Sequence, residues 1–253
     1  MNFRPNLLSR AAAIPLAPVL FVQARKARAS IPRLPDAALP WNGSLPGADL
    51  IRLLVLGDST AAGVGADSQS EALPGSLAHE FGDRFDRGTQ WAALGENGAT
   101  SRDILERFMD EATAATYDAV FLTVGANDAL GLRSRRAFAR DVREIVRRLR
   151  ASSPDALILV SLMPRFDRFS SLRSPLRWNL ALHAASLDDA AREAVRGLDR
   201  VFAVPKPPPY TPTFWASDLF HPGPSGYREW AEFVVDSVPL RLLAPLRRDL
   251  ARG

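Results

Sequence analysis

Five short apolar runs, each followed by a stretch with helical spacing, limit this chain to one kind of architecture. The first is Ile51 with Leu53-Leu54-Val55-Leu56. The others are Trp91-Ala92-Ala93-Leu94, Ala119-Val120-Phe121-Leu122-Thr123-Val124, Leu157-Ile158-Leu159-Val160-Ser161-Leu162 and Val201-Phe202-Ala203-Val204. Runs this short read as strands buried on both faces, the pattern of a parallel sheet. Between them, residues 73–85, 102–117, 137–149 and 176–196 repeat apolar positions at three and four. Leu77, Phe81 and Phe85 share one face of the first stretch. Phe138, Val142, Ile145, Val146 and Leu149 share one face of the third. A last helix runs to about Val238. Strand and helix in strict alternation imply βαβ units. The expected fold is therefore α/β: a three-layer α/β/α sandwich around a five-stranded parallel sheet, spanning residues 51–253 as one domain.

The turns after the strands carry the polar residues. Strand one ends in Gly57-Asp58-Ser59-Thr60, strand two in a turn containing Gly98, and strand three in Gly125-Ala126-Asn127-Asp128. A fourth polar segment, Asp218-Leu219-Phe220-His221-Pro222, follows strand five. Parallel strands place such turns on one edge of the sheet, where open α/β folds collect their chemistry. Asp58-Ser59-Thr60 taken alone also suits a helix cap. The other three segments favour a chemical role. A serine hydroxyl needs a base to become a nucleophile. His221 is the one histidine in a turn with an acidic neighbour, and Asp218 is placed to fix its tautomer. Backbone N–H groups at Ser59 and Gly98, with the Asn127 amide, would supply donors for an oxyanion.

In these residues the chain resembles the SGNH hydrolases, also called GDSL-type esterases and lipases. The four blocks are G-D-S-T at 57–60, the glycine of N-G-A-T-S at 97–101, G-A-N-D at 125–128 and D-L-F-H-P at 218–222. They occur in the family's order over residues 51–238. The resemblance implies a flavodoxin-like fold and a serine ester hydrolase working through an acyl-enzyme on small or lipid-like acyl esters. It implies Ser59 as nucleophile, His221 as base, Asp218 as its orienter, and Ser59, Gly98 and Asn127 as the oxyanion hole. Thr60 stands where the family name has leucine. Asp58 and Asp128 read as residues that hold the turns. An acyltransferase or thioesterase would use the same site. A flavin- or nucleotide-binding module is the rival from another class. It has no G-x-x-x-x-G-K-[ST] loop here and gives no reason for Asn127 or the Asp218/His221 pair. No G-x-S-x-G elbow occurs. The aromatic residues of the late loop, Tyr210, Phe214, Trp215 and Phe220, either line an acyl pocket or cover the core.

Composition sets the remaining bounds. The chain has no cysteine, and His79, His183 and His221 lie far apart. The expectation is a site with neither metal nor cofactor. His79 reads as a surface residue, His183 and Met109 as structural. The arginines 136, 140, 143 and 147 stripe one helix, but Asp141 and Glu144 interrupt them, so no nucleic-acid partner is expected. The formal charge of +4 is uneven: residues 1–50 hold six basic and two acidic residues, and the remainder is balanced. This tail joins an apolar patch at 11–22, broken by Pro15 and Pro18, to the basic cluster Arg25-Lys26-Ala27-Arg28. Pro32, Pro35, Pro40 and Pro46 then read as a linker. The patch is short of the roughly 20 residues that span a bilayer. The tail is expected to pack on the body or to touch an anionic membrane surface, in a cytoplasmic protein. Ala27-Arg28-Ala29 also has the A-x-A form of a leader cleavage site, although the adjacent positive charge argues against export.

Overall fold

A computed structural model describes residues 9–206 and 210–246. Its helices are α1 (Ser9–Ala13), α2 (Ala17–Ser30), α3 (Leu73–Phe85), α4 (Ser101–Asp103), α5 (Met109–Ala112), α6 (Ala126–Leu130), α7 (Arg135–Ser152), α8 (Leu176–Val195), α9 (Pro224–Ser237) and α10 (Leu240–Leu243). The strands are β1 (Asn42–Leu45), β2 (Ile51–Gly57), β3 (Thr89–Gly95), β4 (Ala119–Thr123), β5 (Leu157–Val160) and β6 (Val201–Ala203). They form one sheet in the order β1-β3-β2-β4-β5-β6. All pairs are parallel except β1 with β3.

The sheet is thus mixed and six-stranded, which corrects the expected five parallel strands. The extra strand, Asn42-Gly43-Ser44-Leu45, lies inside the proline-rich segment read as a linker. It has one apolar residue and sits at an edge, where only one side is paired. The same segment is tied down before it: Ala37 and Ala38 donate backbone bonds to Ala62 and Asp67 at 3.0 Å each.

The pleat divides the core in two. Leu54, Leu56, Val120, Leu122, Ile158 and Val160 face one layer, with α7, α8 and the tail. Ile51, Leu53, Val55, Phe121, Leu157 and Leu159 face the other, with α3 and α9. Alternate side chains of a strand point to opposite faces, so a sheet covered on both sides needs uninterrupted apolar strands. The helix expected at 102–117 is shorter. It passes from α4 through a π-helical turn at Ile104–Phe108 into α5. Thr113 Oγ1 donates to the carbonyl of Met109 at 2.7 Å and closes its last turn.

The tail packs on the body. In α1, Ser9 Oγ bonds His183 Nδ1 at 2.8 Å, and Asn179 Nδ2 donates to the Ser9 carbonyl at 3.4 Å. Pro18 lies in the first turn of α2, where a missing N–H costs nothing. Among the described residues no helix is long and apolar enough to cross a membrane.

Chain order reverses at β2: β3 lies to one side of it and β4 to the other. Such a switch point opens a crevice at the carboxyl ends of the strands. The turns after β2 and β4 flank it.

Candidate active site

Ser59 follows β2 by two residues and is almost fully buried. Its turn has no room for variation. A Cβ on Gly57 would lie 2.0 Å from Thr123 Oγ1, so β2 and β4 approach as only glycine allows. Asp58 Oδ1 accepts from Thr60 N at 3.1 Å and Thr60 Oγ1 at 3.0 Å. Burial raises the Asp58 carboxyl to about 6, against these bonds, which lower it. Further along, Gln69 Nε2 donates to Ala61 O at 3.1 Å and Tyr227 Oη to Val64 O at 2.6 Å. Gly65, at φ +98°, meets the Pro222 carbonyl, which a Cβ would approach to 2.3 Å. The loop that carries His221 therefore rests on the loop that carries Ser59.

One carboxylate both builds the late loop and orients the imidazole. Asp218 Oδ1 accepts the backbone N–H groups of Phe220 and His221, each at 2.9 Å. Asp218 Oδ2 lies 2.6 Å from His221 Nδ1. Burial raises the Asp218 carboxyl, but the bonds from His221 and Phe220 outweigh it and hold it below the usual range. Nδ1 donates to this carboxylate, so Nε2 is left as the acceptor. Nε2 stands 3.0 Å from Ser59 Oγ. The three side chains form an unbroken line from carboxylate through imidazole to hydroxyl. Tyr227, from α9, braces the loop that carries Ser59. Its role escaped the sequence because its acceptor is a carbonyl 163 positions away.

Asn127 opens α6 after β4. Its Nδ2 donates to Ala99 O at 3.0 Å, which ties the β4 turn to the β3 turn and uses one of the two amide N–H groups. Gly98 has φ +92°, and a Cβ there would meet nothing within 4 Å. Among the described residues no acceptor takes the backbone N–H of Ser59 or Gly98. Behind them, buried Asp128 accepts from Ser101 N at 2.9 Å and Ser101 Oγ at 2.7 Å, and Arg133 lies 3.3 Å away. Burial raises the Asp128 carboxyl despite these partners. Asp58 and Asp128 hold turns. His79 is exposed, and His183 is buried against the tail.

Ser59 and His221 open onto a cleft of about 670 Å³, open solvent included. All four aromatics of the late loop line it, together with Phe169 and Trp230. They interlock edge to face: Phe169 lies 5.0 Å from Trp215 and 5.1 Å from Phe220, and Phe220 lies 5.2 Å from the His221 ring. Tyr210 Oη accepts from Arg165 N at 3.3 Å, joining the late loop to the loop after β5. Phe169 was not singled out by the sequence, since its loop has no period. Among the described residues no group of three or more potential metal ligands occurs.

Residues 55–229 match the GDSL-like lipase/acylhydrolase family. The chain belongs to that family. The GDSL-type chain is 27% identical over 219 residues to a GDSL-like esterase of Mycobacterium tuberculosis, covering 80% of this chain and 67% of the relative. Its fold is similar to a family 3 carbohydrate esterase of Clostridium thermocellum, with a TM-score of 0.61 at 16% identity, covering 78% of this chain and all of that one. It is also similar to a lipase from a goat rumen metagenome, with a TM-score of 0.59 at 14% identity, covering 76% and 99%. The protein is an ester hydrolase of the GDSL type, with the α/β fold of the SGNH hydrolases.

Proposed function

We propose that this hydrolase cleaves carboxylic esters through an acyl-enzyme on Ser59. His221 Nε2 takes the hydroxyl proton as Ser59 Oγ attacks the ester carbonyl. The oxyanion forms facing the N–H groups of Ser59 and Gly98 and the second N–H of Asn127. The intermediate collapses, and His221 returns the proton to the leaving alcohol. Water, deprotonated by the same imidazole, then releases the acid and frees Ser59. Asp218 stays ionised throughout and stabilises the imidazolium. The observation that carries the reading is the 3.0 Å contact of His221 with Ser59 at the mouth of an aromatic cleft. The apolar wall favours an apolar acyl group, and each buried methylene contributes about 0.8 kcal/mol.

A fluorophosphonate probe, followed by peptide mass spectrometry, tests the nucleophile. Label is expected on Ser59 alone. Label on another residue reassigns it. A series of aryl esters of increasing acyl length tests the cleft. kcat/KM is expected to rise with chain length until the cleft is full, whereas preference for acetyl would remove the acyl role of the aromatics.

A further inference from the structure

We propose that the N-terminal helix pair is a docking surface for anionic lipid bilayers, held beside the loop that walls the cleft. Helix α2 shows the body one narrow stripe. Leu16, just before it, and Leu20, Gln23 and Ala27 within it recur at helical spacing. Leu20 is buried, and Leu16 and Ala27 pack on the core shared with α8. The remaining face is in solvent and is not polar where it begins. Ile14 is 73% exposed, Phe21 69%, Val22 50% and Val19 48%. Four large apolar side chains are thus exposed within nine residues, a denser exposure than the isolated surface hydrophobics that need no explanation.

From position 25 the outward residues turn basic: Arg25, Lys26 and Arg28 are all exposed. Across residues 9–35 there are five basic residues and not one Asp or Glu. Apolar side chains at one end and cations at the other match an interface of acyl chains and anionic headgroups. The helix has 14 residues, enough to lie in an interface and too few to span one. Trp178, near the start of α8, is 54% exposed, a side chain suited to the headgroup level.

The surface is fixed to the cleft by Gln23. Its Nε2 donates to Ser174 O at 2.9 Å, and its Oε1 accepts from Leu176 N at 3.0 Å. Ser174 closes the loop that carries Phe169, a wall of the cleft. An ester drawn from the bilayer would enter at a mouth one loop away. Docking itself does not depend on the chemistry assigned to Ser59.

The test is co-sedimentation of the full chain with vesicles of phosphatidylcholine alone, or with about one third phosphatidylglycerol. Binding to the anionic vesicles only is expected, weakening as salt rises. The triple variant Arg25→Gln, Lys26→Gln, Arg28→Gln should lose about a hundredfold in partition, at about fivefold per cation. Phe21→Ser with Val22→Ser should also release the protein. Both variants should hydrolyse a soluble aryl ester at the wild-type rate, which shows that they fold. Four results would overturn the proposal: no partition, equal partition into neutral vesicles, a dimer that Phe21→Ser disperses, or a cellular chain that begins at Ser30. A protein that binds vesicles but is not labelled at Ser59 would keep the docking surface and discard the mechanism.

Discussion

The turns after β2 and β3 start level, since Gly57 and Gly95 are partners in the sheet, yet they are built in opposite ways. The β2 turn is sunk in the protein. Ala61, Ala62 and Val64 are fully buried, and Asp58, Gln69 and Tyr227 each hold part of its backbone. The β3 turn stands in solvent: Glu96, Asn97 and Gly98 are all exposed. Its shape comes from its ends. Thr100 Oγ1 accepts from Asp103 N at 3.3 Å, and Asp103 Oδ2 accepts from Thr100 N at 2.9 Å, a capping box that fixes where the turn must finish. One side of the site is therefore positioned by walls and the other by backbone conformation. In the proposed mechanism the β2 turn would hold the reacting oxygen against its base to within about 0.5 Å. The β3 turn would hold a donor while leaving the incoming carbonyl room to arrive.

Substitutions in the two turns, and at Asn127, which ties the β4 turn to the β3 turn, can break this contrast. Ser59→Ala should lower kcat by about ten-thousandfold or more, with an unchanged melting temperature. Asn127→Ala should lower kcat by about 100- to 1000-fold with little change in KM, the signature of a donor used in the transition state. An equal rise in KM would instead make it a ground-state contact. Asp58→Asn probes the buried wall. The carboxyl holds its proton more tightly folded than unfolded, so its contribution to stability falls as pH rises from about 4 to about 6 and is level beyond. The asparagine variant lacks that loss. Its stability relative to wild type should grow by up to about 3 kcal/mol between acid and neutral pH in urea unfolding. A difference that does not change with pH would place the charge elsewhere. Gly98→Ala should be the mildest, since it costs about 1 kcal/mol of left-handed strain but meets no neighbour. Activity is expected to fall less than tenfold. If it vanished as completely as in Ser59→Ala, the two turns would be equally constrained and the contrast would fail.

The sheet was legible because buried parallel strands must be apolar on both faces. Ile51–Gly57 therefore announces itself without help from its neighbours. Helices α3 and α7 were legible for the complementary reason: each has one wet face and one dry. Strand β1 was not, because an edge strand with three small or polar residues among four carries no hydrophobic period. The apolar patch of the tail showed, but Pro15 and Pro18 masked its helices; α1 ends before the first proline, and α2 uses the second in its opening turn. Of the site, Ser59, Asn127, Asp218 and His221 could be placed from the order of strands, since topology gathers their turns. The cleft wall was legible only in part: Tyr210 and Trp215 read either as pocket lining or as cover for the core, and Phe169 was not singled out. All three lie on loops whose shape depends on contacts between segments, such as Arg165 with Tyr210, and no spacing rule records those.

Tyr227 has one more consequence. It belongs to α9, which begins three residues after His221, and its hydroxyl reaches back to the carbonyl of Val64. The imidazole, its carboxylate and this brace all come from the last fifth of the described residues. A fragment cut before Asp218 would therefore retain Ser59 but lack all three, so under the proposed mechanism its hydroxyl would be an ordinary alcohol.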